Sequence, residues 1–179
     1  MRPLPRSFFA RDTERVAREL LGALLVRDTG DGPRAWAITE TEAYVGPHDL
    51  ACHAAKGRTA RTEVMFGPPG HAYVYMIYGM YHCLNVVTER ADYPAAVLIR
   101  GVRARDADAK TPKTDGPGKL CRALSIDRAL NRHDLTVGQA LWFAKGKAPA
   151  RIIAGPRVGV DYAGEWAAKP LRFWVPNAS

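Results

Sequence analysis

The segment from Tyr73 to Asn85, Tyr-Val-Tyr-Met-Ile-Tyr-Gly-Met-Tyr-His-Cys-Leu-Asn, constrains the fold more than any other part of the chain. A lone glycine interrupts it, and the flanks His71–Ile77 and Tyr81–Val87 read as a hairpin around Tyr78-Gly79-Met80. Four tyrosines fall within nine positions. That is more phenol than an ordinary core strand holds, because each buried hydroxyl needs a hydrogen-bond partner. Tyr75 and Tyr81 can be amphipathic core residues. Tyr78 stands beside Gly79 at the tip, where a ring projects outward.

Further strands follow from similar patterns. Ala23–Arg27 and Arg34–Tyr44 read as an antiparallel pair across the turn Asp28–Pro33. Ala95–Arg103, Ala140–Phe143, Arg151–Ala154 and the tail Pro170–Val175 complete the set. Asp12-Thr13 can cap a helix to about Leu21, with Val16, Leu20 and Leu21 at helical spacing and Gly22 to end it. Pro117–Ser125 reads as a second helix. Pro3 and Pro5 make residues 1–11 an irregular arm with Phe8-Phe9 as an anchor. Val45–Gly70 is a long polar loop of the kind that is functional in a compact domain, and 106–118 is a polar linker. At 179 residues the expectation is one domain, 1–179, of α+β class: a curved antiparallel sheet flanked by short helices.

Composition narrows the function. Lys plus Arg number 26 against 18 Asp plus Glu, for a formal net charge of +8. That balance suits a polyanionic partner, nucleic acid before membrane. Cys52, Cys83 and Cys121 are odd in number and widely spaced, which argues against a disulfide framework or a zinc knuckle and fits a reducing cytosol. No apolar h-region follows the N-terminal Met-Arg-Pro-Leu-Pro-Arg, no run is long enough to span a membrane, and no Gly-rich phosphate loop of the Walker or dinucleotide type is present.

Several residues can do chemistry, each with a plainer alternative. Glu40 and Glu42 face one side of a strand, and a solvated charged pair is the default for Glu40. Glu42 lies at the strand end beside Tyr44, where a carboxylate can orient and deprotonate a water. Arg100 closes the apolar run Ala95–Ile99; it either reaches solvent or keeps a nearby carboxylate ionised. Asn85, inside an apolar run, is a structural bracket or a reader of a ligand edge. Lys119 follows Gly116-Pro117-Gly118 at a helix start, where it either is solvated or meets a phosphate. His48, Cys52 and His53 are loosely spaced as metal ligands and lack a third cluster.

Taken together, eight ordered motifs resemble the alkyladenine (3-methyladenine, N-methylpurine) DNA glycosylases. These are Glu-Thr-Glu-Ala-Tyr at 40–44, Gly-Pro-His-Asp at 46–49, Met-Phe-Gly at 65–67 and Tyr-Val-Tyr-Met-Ile-Tyr-Gly-Met-Tyr at 73–81. Val-Leu-Ile-Arg at 97–100, Gly-Pro-Gly-Lys-Leu-Cys at 116–121, Arg-Val-Gly-Val at 157–160 and Gly-Glu-Trp-Ala at 164–167 follow. The similarity spans roughly residues 5–175. It implies a monofunctional base-excision enzyme that flips a damaged purine (3-methyladenine, 7-methylguanine, with hypoxanthine and ethenoadenine as further candidates) from duplex DNA and hydrolyses its N-glycosidic bond. No metal or cofactor is implied.

By motif position, Glu42 resembles the general base, Arg100 the arginine beside the attacking water, and the Val158 carbonyl the water's third partner. Tyr44, His53 and Tyr75 resemble the walls around the flipped base, Asn85 the residue that crowds the 2-amino group of guanine, and Tyr78 the intercalating wedge. Lys119 is expected at the DNA backbone. The loop Gly57–Arg61 and the linker after Arg105 are shorter than in the family's pattern, so DNA contacts there do not carry over. The implied setting is a monomer in the cytoplasm, on the nucleoid in a bacterium, with no membrane partner. Two other classes stay open: a non-catalytic nucleic-acid binding module, which needs no Glu42, and a hydrolase of free nucleosides or RNA, which needs no Tyr78 wedge.

Overall fold

The structure is a computed structural model that describes residues 1–104 and 114–176. Most of the polar linker expected at 106–118 lies outside these residues.

The spine is β2, Arg34–Tyr44, eleven residues long. On one side it pairs with β5, Ala96–Ala104. On the other it pairs first with β1, Leu24–Arg27, and then with β8, Arg172–Trp174. The hairpin strands β3, Ala72–Ile77, and β4, Tyr81–Val87, continue the sheet from β5, while β6, Leu141–Ala144, lies outside β1. β7, Ile153–Gly155, pairs with β8. Every pairing is antiparallel, and the main order is β3-β4-β5-β2-β1-β6.

The two faces of this curled sheet have different tasks, and the period of two along a strand separates them. On β3, Ala72 and Val74 join the main core, whereas Tyr73 and Tyr75 belong to a second cluster with Cys52, Met65, Val87 and Ala96. The main core is completed by two short helices, α2 (Thr13–Glu19) and α3 (Pro117–Ala123), through Val16, Ala17 and Leu120. Asp12 caps α2 by accepting from the Arg15 N–H at 2.8 Å, and fully buried Thr41 on β2 donates to the Ala17 carbonyl at 2.9 Å. The helices therefore fix the back of β2, and the front faces the loop that follows it.

Two expectations need correction. Residues 1–11 are not wholly irregular: Arg6–Phe9 forms a one-turn helix, α1, with Pro5 as its N-cap. Proline is excluded from a helix interior but tolerated at its start. The arm is also built in, since the Leu4 N–H donates to the Phe143 carbonyl at 2.7 Å and Phe9 is fully buried. The long loop after β2 carries two 3-10 turns, His53–Lys56 and Glu63–Phe66, and after the Arg-Val-Gly-Val motif Asp161–Ala167 holds two short 3-10 turns broken by a kink at Ala163 and Gly164.

Candidate active site

The front of the sheet and the loops above it enclose a pocket of about 340 Å³. Glu42, Tyr44, His53, Tyr75, Tyr78, Asn85, Arg100 and Val158 all line it. Seven separate elements supply these eight residues, so the fold brings together positions up to 116 residues apart, as Glu42 and Val158 are.

Glu42, the one acid among the described lining residues, has no side-chain exposure. Its Oε1 accepts from the Val158 N–H at 2.8 Å, and its Oε2 accepts from the Tyr44 hydroxyl at 2.9 Å. Arg100 Nε lies 3.4 Å from Oε1. Burial pushes the carboxyl above its ordinary range, and Arg100, the Val158 N–H and the Tyr44 hydroxyl each pull it partly back. A carboxylate so placed is a stronger base than one in water.

Arg100 owes its direction to a flaw in the ladder. Thr41 pairs with Ile99 and Glu40 with Gly101, so Arg100 falls between partnered residues without one of its own. Such a bulge turns a side chain away from its regular path. Gly101 is required there, because a Cβ would stand 2.9 Å from the Thr39 hydroxyl oxygen. The guanidinium then meets two acids: Nε donates to Glu40 Oε1 at 2.9 Å, closer than its approach to Glu42. Glu40 also accepts from Arg172 at 3.5 Å and is only 24% exposed. The solvated charge expected of Glu40 is thus corrected: it is an ion-paired neighbour of the site.

The aromatic side of the pocket is tightly coupled. His53 Nδ1 lies 2.9 Å from the Tyr73 hydroxyl, and the imidazole meets the Tyr75 ring edge-on with centroids 4.7 Å apart. Burial, then Arg61 and Lys56, push the His53 pKa down to about 4. The ring is therefore neutral at physiological pH. Asn85 is buried and its amide donates to the Tyr73 carbonyl at 3.0 Å, which fixes the side chain against its own hairpin.

Tyr78 is 86% exposed at the hairpin tip. It and Gly79 both have positive φ, 52° and 68°, in the sense of a type I′ turn, and the Met80 N–H closes the turn on the Ile77 carbonyl. A tyrosine in that region costs on the order of 1–2 kcal/mol relative to an ordinary conformation. Around it the surface is apolar. Met76, Met80 and Tyr81 are exposed on the same hairpin, and Val158 and Tyr162 are exposed at the pocket rim.

The chain matches the methylpurine-DNA glycosylase family over residues 7–179. The chain belongs to that family. Among its relatives is a protein of Myxococcus xanthus, 56% identical over 176 residues, covering 98% of this chain and 91% of the relative. One of Methanocella arvoryzae is 53% identical over 186 residues, covering 98% and 93%, and one of Legionella pneumophila is 50% identical over 179 residues, covering 99% and 96%. Each bears the name "Putative 3-methyladenine DNA glycosylase". Membership in the methylpurine-DNA glycosylase family makes the chain a hydrolytic DNA glycosylase of DNA repair.

Some residues that shape this glycosylase pocket carried no role in the sequence reading. Asp49 and Arg157 form a wholly buried pair behind Tyr44. Tyr73 anchors His53, and Tyr162 stands at the rim. Asp49, Tyr73 and Arg157 do sit inside the quoted motifs, so a signal was present; what was missing was the knowledge that they are buried together. Lys119 is outside the pocket lining and pairs with Asp115 at 3.0 Å in an exposed i,i+4 contact. Its helix packs on β4, with Gly118 against Tyr81, where a Cβ would come within 2.9 Å of the ring. Among the described residues, no group of three or more His, Cys, Asp or Glu side chains is placed to hold a metal, and His48 packs on Trp166, away from His53. No described helix is long and apolar enough to cross a membrane.

Proposed function

We propose that this glycosylase flips alkylated purines, 3-methyladenine and 7-methylguanine foremost, out of duplex DNA and hydrolyses the N-glycosidic bond with Glu42 as general base. The observation that carries the reading is a buried, proton-hungry carboxylate at the floor of an aromatic pocket whose rim bears an exposed tyrosine on a strained turn.

A purine outside the stack enters between Tyr44 on one side and His53 and Tyr75 on the other. Alkylation at N3 or N7 makes the base cationic, and electron-rich rings favour a cation. Neutral His53 adds no repulsion. Asn85 crowds the edge where a guanine carries its amino group. Water bound between Glu42, Arg100 and the Val158 carbonyl then attacks C1′. Its oxygen bonds to C1′ as the C1′–N9 bond breaks, the bond's electrons neutralise the departing purine, and the water's proton passes to Glu42. The carboxylate also stabilises the cationic sugar of the transition state. Hypoxanthine and ethenoadenine are neutral and poorer leaving groups, and stand as secondary substrates.

Tyr78 fills the gap that the flipped nucleotide leaves, and Lys119 meets the backbone nearby. The site is complete within one chain, which fits a monomer, and the three buried thiols fit a reducing cytoplasm. A binding module has no use for a carboxylate held this way, and a nucleoside hydrolase has none for the Tyr78 wedge.

The test is release of bases from duplexes carrying single defined lesions, with the DNA product examined for strand integrity. Release of methylated purines with an intact abasic product supports the reading. No release from any alkylated duplex, or an adduct trapped by borohydride, overturns it, since trapping needs an amine nucleophile and no lysine is among the described residues that line the pocket.

A further inference from the structure

We infer that Asp49 and Arg157 are a positioning pair for the reaction, a buried ion pair that holds Tyr44 and the Val158 backbone against the Glu42 carboxylate. The inference rests on the proposal that Glu42 is the base.

The pair is bidentate. Arg157 donates from one terminal nitrogen to Asp49 Oδ2 at 2.5 Å and from the other to Oδ1 at 2.8 Å, and neither side chain has any exposure. The same guanidinium donates to the carbonyl of Ala43, the residue between Glu42 and Tyr44, at 2.9 Å. It also lies over the Tyr44 ring, 4.7 Å from the centroid. Asp49 in turn accepts from the backbone N–H groups of Val45 at 3.2 Å and Ala51 at 3.0 Å. Two charges thus tie the end of β2, the loop after it and the Arg-Val-Gly-Val turn into one unit.

That unit contains both fixed donors of the proposed base. Arg157 and Val158 are consecutive, so an immobile guanidinium fixes the Val158 N–H that meets Glu42. Tyr44, held beneath the same guanidinium, supplies the second donor. A cation over a phenol ring draws electron density from it and makes the hydroxyl a better donor. Arg157 and Asp49 do not line the pocket, so they act through these neighbours.

Stability alone is a poor reason for the arrangement. Taking two charges out of water carries a desolvation cost that their attraction repays only in good geometry, and apolar residues of similar volume often do as well or better. The Arg157 Nε–H is moreover buried without a hydrogen-bond partner among the described residues, a further cost. A pair kept for loop-stapling could be replaced by packing. A pair kept to aim Glu42 could not.

This difference defines the test. The neutral double variant Asp49→Leu/Arg157→Met is compared with the parent by thermal unfolding, by binding to a duplex with a tetrahydrofuran abasic analogue, and by single-turnover release of methylated purines from dimethyl-sulfate-treated duplex. The expected result is a folded variant whose unfolding midpoint falls only by the loss of partners at Ala43, Val45 and Ala51, with binding within a few-fold and release slowed roughly 100-fold, the scale of an ångström misplacement. A folded double variant that releases bases at the parent rate overturns the inference, as does a loss in binding equal to the loss in rate. Arg157→Lys keeps the charge pair but loses the planar group over Tyr44, and it carries the same test if the double variant does not fold: slowed release at unchanged binding supports the pair, and unchanged release overturns it. Glu42→Gln, run alongside, separates the two readings. If it releases bases at the parent rate, the assigned base is wrong; if it is inactive while the double variant is fully active, only the positioning pair fails.

Discussion

Tyr44 and Glu42 stand two residues apart on one strand, and the tyrosine hydroxyl donates to the carboxylate at 2.9 Å. Tyr44 therefore belongs to the pocket wall and to the support of the acid at once. A carboxylate offers about four acceptor positions. With Tyr44 on Oε2, and the Val158 N–H and Arg100 at Oε1, about one acceptor position is left on a carboxylate that lines the pocket. A water is the smallest group that can donate to it and the one the proposed chemistry requires.

Glu42→Gln should keep binding to lesion duplex and lose excision by roughly 100- to 10,000-fold, the usual worth of a general base. The amide preserves shape and can still accept a hydrogen bond, but it cannot take the water's proton. Binding to the abasic-analogue duplex and single-turnover release should be measured on the same preparation. Release at the parent rate would remove Glu42 from the mechanism.

Arg100→Ala should move the acid limb of the pH–rate profile to higher pH. The sign follows from charge. As the proposed base Glu42 must be ionised, burial already holds its pKa above the ordinary carboxylate range, and Arg100 is the strongest influence pulling it down. The Val158 N–H, the Tyr44 hydroxyl and Arg157 pull the same way and remain in the variant. Without Arg100 the proton is held more tightly, so excision falls at neutral pH and recovers as pH rises. An unmoved limb with weakened binding to damaged and undamaged DNA alike would instead make Arg100 a phosphate contact.

Much of the fold could be read from local pattern, and the site only in part. Pattern alone delimits Arg34–Tyr44 to the residue, and the β3–β4 hairpin nearly so, because alternation and turn residues act locally. The short helix Arg6–Phe9 escaped because two prolines nearby look like a block when one of them is a cap. Glu40 looks solvated in sequence for a different reason. Its partners Arg100 and Arg172 are 60 and 132 residues away, and no periodicity reports them. Asp49 and Arg157 were equally hidden, since burial of an ion pair is a property of the assembled loops. Six of the eight pocket residues lie within the ordered motifs and His53 and Asn85 lie between them, whereas the bulge that aims Arg100 shows only in the pairing of Thr41 with Ile99 and Glu40 with Gly101.

His53 should stay neutral down to about pH 4, and an imidazole NMR titration should place its midpoint near that value rather than at the model-peptide 6.5. The same shift links to stability. Between those two values the unfolded chain binds a proton that the folded protein refuses. The contribution of His53 is therefore fully present above about pH 6.5 and is lost as pH falls toward 4. His53→Gln should flatten the fall of the unfolding midpoint across that window. Parallel curves for variant and parent would mean the imidazole is hydrated and titrates normally.

Tyr78→Ala should weaken binding to a lesion duplex about 10- to 100-fold while leaving chemistry on an already extruded base nearly intact. Extrusion costs a few kcal/mol of lost pairing and stacking, and a ring inserted into the gap offsets part of it. Tyr78 is suited to that task by position: it is 86% exposed, on a positive-φ turn beside Gly79, with Met76, Met80 and Tyr81 exposed on the same hairpin. The ring is 86% exposed and alanine keeps the Cβ that makes φ near 52° costly, so the variant should unfold at about the parent temperature. Saturating enzyme separates the steps, since it drives binding to completion and leaves the extruded fraction and the chemical rate to be read. A lesion opposite a gap, where the nucleotide is free to swing out, should restore most of the lost rate. Unchanged affinity and unchanged single-turnover release on intact duplex would reduce Tyr78 to a turn residue and move the wedge to another side chain of the rim.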